Sequence, residues 1–171
     1  MMWTITDALI RRMIKKAVKN FCNDVTQPVE YKTVLKRLEK KIIIHKNLRL
    51  RSTWAWAIIL NESMAEKCDV RAFNLEDKKI ANKKHICLAD GKKHFYILSF
   101  SPKALQYADP KDTFNVVAHE VAHLLQSVLL GESFHDKQWR SFHFSMGGDG
   151  NTFAPAIPPK AFKSKTPLKN K

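Results

Sequence analysis

Apolar residues recur every third or fourth position in two stretches near the start of the chain, which is the spacing of an amphipathic helix. The second stretch, residues 29–41, directly follows Pro28 and predicts a helix, as does the first stretch, residues 6–22. Residues 42–51 fit neither period and are expected to be extended or irregular. The buried stripe of the first helix is expected to contain Leu9, Met13, Ala17 and Phe21.

The middle of the chain carries shorter apolar runs. Residues 54–67 begin with an apolar run that fits a strand, but their length and polar tail favour a helix. Residues 70–75 then predict a strand and residues 76–84 a charged loop. Residues 85–88 and 94–100 predict the two strands of a hairpin, because Asp90-Gly91 between them is a typical turn sequence.

The longest helical pattern follows a short helical turn at Ser101-Pro102. Asp109 and Pro110 have the residue types of an N-cap and a first helical position, and Gly131 that of a helix end. A further helix is expected over residues 136–146, where Gly147-Gly148 would end it. The apolar stripe of the longest helix is expected to contain Phe114, Val117, Val121, Leu124, Leu125 and Val128.

The formal net charge of +14 is concentrated at the two ends of the chain. Residues 1–51 hold 13 Lys or Arg against four acids, for a net +9, and residues 52–150 hold 12 of each. Residues 151–171 add five Lys without an acid. A polyanion is the natural partner of such ends, although each run also fits a solvated face or a solubility tail. The candidate contacts on the first helix are Arg12, Lys15, Lys16 and Lys19.

The cysteine content and hydropathy exclude several classes of protein. The three cysteines form no CxxC pair, which excludes a zinc ribbon and argues against a disulfide framework. No apolar run approaches the roughly 20 residues that span a bilayer. The first ten residues also lack the pattern of a cleavable signal. We therefore expect an intracellular protein, cytoplasmic or in the nucleoid or nucleus, without a membrane partner.

The segment from His119 to His123 is an HExxH motif within the longest predicted helix. Side chains four residues apart share one helix face, so the two imidazoles can bind one Zn²⁺ ion. Glu120 points to the adjacent side and is predicted to be the general base that takes a proton from the metal-bound water. The alternative interpretation is a surface helix with two solvated histidines.

A catalytic zinc ion usually takes three protein ligands and leaves one position open. The metzincin motif fails, because Gln126 and Leu129 stand where its glycine and third histidine would be. Glu132 follows directly on Gly131 and has little chain with which to fold back, whereas the longer connection to His135 suits a returning loop. The candidates for a third ligand are Glu132, His135, Asp136, His143 and Asp149.

The stretch from His119 to Met146 resembles the SprT-like metallopeptidases. Their pattern is an HExxH helix, a linker, and a His-Gly-x-x-Phe/Trp block that enters the next helix. His135 to Trp139 fills that block, with Asp136 in place of the glycine, and the strand before Ser101 is also similar to the family. The resemblance covers roughly residues 55–150. It implies that His119, His123 and His135 bind Zn²⁺ and that Glu120 is the general base.

The resemblance also implies a function. Spartan-type members cleave proteins trapped covalently on DNA and are switched on by DNA, which fits a neutral core flanked by cationic ends. The sequence therefore predicts a zinc endopeptidase that acts on DNA-bound or DNA-crosslinked proteins in DNA repair. One alternative is a zinc protease with a dedicated protein substrate, such as a repressor, and no role on DNA. Another is a basic nucleic-acid-binding protein whose zinc site is not catalytic.

The expected architecture is α+β, with a zincin-like metallopeptidase domain over residues 52–150. In that domain a small antiparallel sheet from residues 70–100 would pack against the helix that carries His119 and His123. Residues 1–51 are expected to be a basic helical N-terminal extension. Residues 151–171, rich in lysine and proline, are expected to be a flexible basic tail that binds DNA together with the first helix.

Overall fold

The structure is a computed structural model, which describes residues 5–47, 50, 53–61, 86–89, 92–131 and 133–152. The fold is α+β, as the sequence predicts, and a four-stranded sheet packs against helices. The elements in chain order are α1 (Asp7–Asn23), α2 (Val29–Glu39), β1 (Ile43–Lys46), β2 (Ala55–Asn61), β3 (Ile86–Ala89), β4 (Lys92–Phe100), α3 (Pro102–Leu105), α4 (Pro110–Leu130) and α5 (Lys137–Ser145).

The helices begin and end within two residues of the predicted bounds because local sequence signals determine their ends. The hydroxyl of Thr6 accepts from the backbone N–H of Leu9 at the start of α1. The carboxylate of Asp109 accepts from the N–H of Asp112 at 2.7 Å, and Pro110 occupies the first turn of α4. At the other end of α4, Gly131 adopts a φ of 77°, a left-handed conformation that favours glycine.

Strand β4 is the centre of the sheet. It pairs antiparallel with β2 along one edge, where Ile97 lies opposite Ile58. The other edge of β4 is shared end to end by β3, which is antiparallel, and β1, which is parallel. The predicted hairpin of β3 and β4 is therefore confirmed. The prediction of an antiparallel sheet is wrong in one part, because residues 43–46, which were expected to be extended or irregular, add a parallel strand.

The prediction of a helix over residues 54–67 is also wrong, since residues 55–61 form strand β2. The apolar run includes the β-branched residues Ile58 and Ile59, which favour a strand that can pair with β4 over its whole length. At the start of β2, Ala55 is buried and Trp56 is exposed, because neighbouring side chains of a strand point to opposite faces. The polar tail that favoured a helix lies outside the described residues. The same is true of the predicted strand 70–75, the loop 76–84, the Asp90-Gly91 turn and most of the basic tail.

The N-terminal helices belong to the same hydrophobic core as α4 and the sheet. Phe21 of α1 is fully buried, and its ring meets that of Phe142 of α5 edge to face at 5.7 Å. The Gln27 amide donates to the hydroxyls of Ser141 and Ser145 in α5 at 3.0 and 2.8 Å. The cationic helices are therefore structural elements as well. The division of the chain into domains at residue 51 stays a prediction.

No helix among the described residues is both long and apolar enough to cross a bilayer. The longest, α4, has 21 residues, but it carries the HExxH motif and lies against β2, α1 and α5. Its apolar stripe is consequently covered by protein. The side chains of His119 and His123 point towards the segment that follows Gly131.

We expect Phe21→Ala to lower the free energy of unfolding by about 3–5 kcal/mol, because truncation of a buried aromatic ring leaves a cavity. Urea denaturation followed by circular dichroism measures this change. The control is Val25→Ala in the neighbouring turn, where the side chain is 93% exposed and the expected change is within about 0.5 kcal/mol. A loss below about 1 kcal/mol for Phe21→Ala would show that α1 is dispensable to the core.

Candidate metal centre

Three histidine side chains converge at the C-terminal half of α4. The Nε2 atoms of His119 and His123 lie 3.2 Å apart, and the Nε2 atom of His135 lies 3.0 and 2.9 Å from them. His119 and His123 come from successive turns of α4, and His135 comes from the segment between α4 and α5. The structure thus brings together the three histidines that the sequence analysis predicted as ligands, and they form a group that could hold a metal ion.

The geometry of this triangle fits a small cation. A nitrogen of a neutral imidazole either donates or accepts, so three such atoms in mutual contact cannot all be paired by hydrogen bonds. Ligand nitrogens about 2.05 Å from a tetrahedral ion lie about 3.3 Å from one another. The observed separations of 2.9–3.2 Å are only slightly shorter. The donor set, three imidazoles, suits zinc, copper, iron and nickel.

Burial keeps the histidines in the form that binds metal. Burial, and after it the neighbouring histidines, lower the pKa of His119 to about 3 and that of His123 to about 4. The pKa of the more exposed His135 is also lowered, first by partial burial and then by the charge of Arg140. All three rings are therefore neutral at pH 7, and a neutral imidazole is the metal ligand.

Two of the three histidine rings are hydrogen-bonded by polar groups that are not part of the cluster. The Nδ1 atom of His123 lies 2.6 Å from the hydroxyl oxygen of Ser133, and the backbone of Asn151 hydrogen-bonds the ring of His119. The Trp139 ring of α5 lies 4.6 Å, centroid to centroid, from both His119 and His135. Such contacts orient ligand rings before a metal arrives.

Glu120 lies between the two α4 histidines in sequence but is turned towards the sheet. Its Oε2 atom accepts from the backbone N–H of Ala57 in β2 at 2.7 Å. Burial of the carboxyl group raises its pKa to about 8, although the Ala57 hydrogen bond opposes that shift. The edge strand β2 therefore fixes one oxygen of this carboxyl group.

Three of the other candidates for a third ligand make hydrogen bonds of their own. Asp136 caps α5 and accepts from the N–H of Trp139 at 2.8 Å. His143 of α5 is buried, and its Nε2 atom lies 3.3 Å from the carbonyl oxygen of Asn115. Asp149 accepts from the backbone and side chain of Asn151. Glu132 lies outside the described residues.

Sequence reasoning missed the residues that support the histidines. Ser133, Gln126 and Asn151 carry no motif, and Gln126 entered only as a departure from the metzincin pattern. A polar residue in the apolar stripe of α4 was the available signal. Gln126 is only 1% exposed, and a buried amide usually has hydrogen-bond partners that matter.

Comparison with families of known proteins agrees with this geometry. The model of the SprT-like family matches residues 10–157, which is most of the chain. The chain belongs to the SprT-like family. The SprT-like match begins inside α1 and so extends well beyond the residues 55–150 that carry the recognisable motifs. Comparison with curated proteins and with solved structures gives no match.

SprT-like proteins are typically metal-dependent, and membership indicates a domain of the metallopeptidase type. The three-histidine cluster gives this chain the means to bind a metal ion. The family match depends on sequence similarity along the chain, and the cluster on the distances between three rings.

We expect His135→Ala to weaken the binding of a divalent cation by more than the roughly 10–100-fold that loss of a supporting residue costs. Titration with Zn²⁺ and with Co²⁺ measures the affinity, and the visible spectrum of bound Co²⁺ reports the ligand geometry. The control is Glu132→Ala, the neighbouring candidate ligand, which should leave both unchanged. If Glu132→Ala abolishes binding and His135→Ala does not, the three-histidine site is wrong.

Proposed function

We propose that the protein is a zinc-dependent endopeptidase in which His119, His123 and His135 bind Zn²⁺ and Glu120 is the general base. The observation that carries this proposal is the approach of three Nε2 atoms within 3.2 Å of one another beside a buried carboxyl group. Three imidazoles with an open fourth position are a known donor set of catalytic zinc. Membership of the SprT-like family supports the reaction class.

A bound zinc ion supplies two effects, since it polarises the carbonyl of the scissile bond and lowers the pKa of a coordinated water towards 7. The histidine rings hold the ion without adding negative charge. Glu120 accepts a proton from the attacking water and delivers it to the leaving amine. The Ala57 N–H donates to Oε2 of Glu120, and this hydrogen bond restricts the rotation of the carboxyl group.

The raised pKa of Glu120 suits this role. A carboxyl group with a pKa near the working pH can both take up and release a proton. A neighbouring cation favours the ionised form, so metal binding would shift this carboxyl group towards the base. The packing of α4 against the edge strand β2 supports a zincin-like assignment.

We expect Glu120→Gln to keep the fold and the bound Zn²⁺ but to lower the rate of peptide cleavage by about 10²–10⁴-fold, because the amide cannot accept a proton. Cleavage of a denatured protein substrate, assayed with and without a chelator, measures the rate. Glu39→Gln on α2 is the matched control, and it should cleave at the parental rate. Near-parental cleavage by Glu120→Gln, with zinc bound, would refute the mechanism.

We further propose that the substrate is a DNA-bound or DNA-crosslinked protein and that α1 and α2 bind the DNA. A groove of about 460 Å³ lies between these helices, and its lining includes Lys15, Lys19, Lys36 and Lys40. Glu39 also lines the groove and carries a negative charge. Four ammonium groups around one groove attract phosphates of any sequence. The neutral middle of the chain offers no comparable surplus of charge.

The other cations of the predicted DNA surface differ in their surroundings. Arg12 is exposed on α1, as are Lys15 and Lys19. The ammonium group of Lys16 lies 4.6 Å above the ring centroid of Phe114, so this lysine also packs against α4. Arg11 donates to the carbonyl oxygen of Ile42. The groove, rather than the whole helix face, is therefore the best candidate for phosphate contacts.

We expect Lys15→Glu/Lys19→Glu to weaken binding to a random-sequence DNA duplex and to flatten the log–log salt dependence by about 2, because each lost phosphate contact removes roughly 0.9 from the slope. Fluorescence anisotropy between about 50 and 200 mM salt measures both. The matched control is Lys103→Glu/Lys111→Glu in the neutral middle, which changes net charge equally. That pair should keep most of the affinity and the slope.

The same variants separate the competing functions. Cleavage of a DNA-bound protein should fall with DNA affinity in Lys15→Glu/Lys19→Glu, while cleavage of a free unfolded peptide should not. Equal loss in the two charge-reversed pairs would mean that only net charge matters and would refute the groove. Cleavage that DNA does not stimulate in the parent would favour a protease with a dedicated protein substrate. Zinc binding without any cleavage would favour a nucleic-acid-binding protein.

A further inference from the structure

Gln126 is the most buried polar side chain on the C-terminal half of α4, at 1% exposure. It lies three residues after His123, on the part of the helix that faces the returning segment 133–136. Burial of an amide costs free energy unless both of its ends are hydrogen-bonded. The hydrogen-bond partners of Gln126 therefore show which part of the chain this buried amide holds in place.

Both ends of the Gln126 amide bind the segment that carries His135. The Oε1 atom accepts from the backbone N–H of Phe134 at 2.9 Å and from the hydroxyl of Ser133 at 3.3 Å. The Nε2 atom donates to Oδ1 of Asp136 at 2.8 Å. His135 thus lies between residues that one side chain ties to α4. A backbone N–H can only donate and a carboxylate can only accept, so the orientation of the amide is unambiguous.

The same bonds favour one tautomer of His123. When the Ser133 hydroxyl donates to Oε1 of Gln126 at 3.3 Å, the Ser133 oxygen can accept from Nδ1–H of His123 at 2.6 Å. A neutral imidazole that carries its proton on Nδ1 has its lone pair on Nε2. In His123 that lone pair faces the Nε2 atoms of His119 and His135.

We propose that Gln126 is the positioning residue of the metal centre. It holds His135 in place through the 133–136 segment and favours one tautomer of His123 through Ser133. Through Asp136, which also accepts from the N–H of Trp139, it connects the same segment to the start of α5. This inference depends on the metal-binding part of the proposed function and not on peptidase activity or DNA.

The direct test measures Zn²⁺ affinity by competition with a chromophoric chelator, and the visible spectrum of bound Co²⁺, in Gln126→Leu and in the parent. The leucine is similar in size but makes none of the hydrogen bonds. We expect a 10–100-fold loss of affinity, the usual effect of removing a residue that orients a ligand, and an altered Co²⁺ spectrum. Ser133→Ala removes the acceptor for His123 and one donor to Gln126, but it leaves the hydrogen bonds of Gln126 to Phe134 and Asp136, so it should give a smaller loss.

Gln27→Leu is the matched control for a merely structural role. Gln27 is also buried, at 7% exposure, and its amide also joins two elements, since it donates to Ser141 and Ser145. Its hydrogen bonds go to Ser141 and Ser145, and not to the three histidines or to the 133–136 segment. Gln27→Leu should lower stability without changing the Zn²⁺ affinity or the Co²⁺ spectrum.

An exchange of partners gives a rescue that does not depend on Gln126→Leu folding. Gln126→Glu places a carboxylate against Asp136, so affinity should fall. Asp136→Asn alone keeps an oxygen that can accept from Gln126 and Trp139, so its effect should be small. In the double variant Gln126→Glu/Asp136→Asn, the new amide can donate to the new carboxylate while its oxygen accepts from the Trp139 N–H. Most of the affinity should return.

The outcomes are distinguishable. Parental Zn²⁺ affinity and Co²⁺ spectrum in Gln126→Leu, or a double variant no better than Gln126→Glu, would overturn the role of Gln126 alone. A parent protein that binds no Zn²⁺ would overturn the proposed metal centre and this inference together. A parent that binds Zn²⁺ but cleaves no protein would refute the endopeptidase. The affinities of the variants would then still support the positioning role.

Discussion

The centre of this molecule depends on the return of the chain after α4. Two of the three clustered ring nitrogens are four residues apart on one helix, so their separation follows from helix geometry alone. The third comes from His135, in the segment after the left-handed Gly131, and the residues on either side of His135 hydrogen-bond Gln126. Without that return, α4 would carry two histidines and no complete ligand set.

Helix α4 contributes both to the hydrophobic core and to the candidate metal centre. Helix α4 packs on α1, carries His119 and His123, and has Glu120 held by the backbone of β2. The cationic helix α1 contributes to the same hydrophobic core as α4. Its inner face supplies Phe21 to the core, while its outer face supplies the lysines of the groove.

Where the sequence predicted the structure, the determining forces are local. Capping by Asp109 and the glycine at 131 act within one turn, and HExxH places two rings by helix periodicity. Where the sequence-based prediction was wrong, the structure is determined by contacts between distant parts of the chain. The run at 55–61 becomes a strand because β4 offers it a partner, and β1 is a strand only through its parallel pairing. The role of Gln126 could not be predicted, because its partners lie across a turn whose path no local signal specifies.

The central claim is that three imidazoles hold one zinc ion, and X-ray absorption at the zinc edge tests it without relying on any variant. The account predicts one zinc per chain with nitrogen or oxygen ligands at about 2.0–2.1 Å and the outer-shell scattering of three histidine rings. A sulfur ligand near 2.3 Å, or scattering from fewer than three rings, would contradict it.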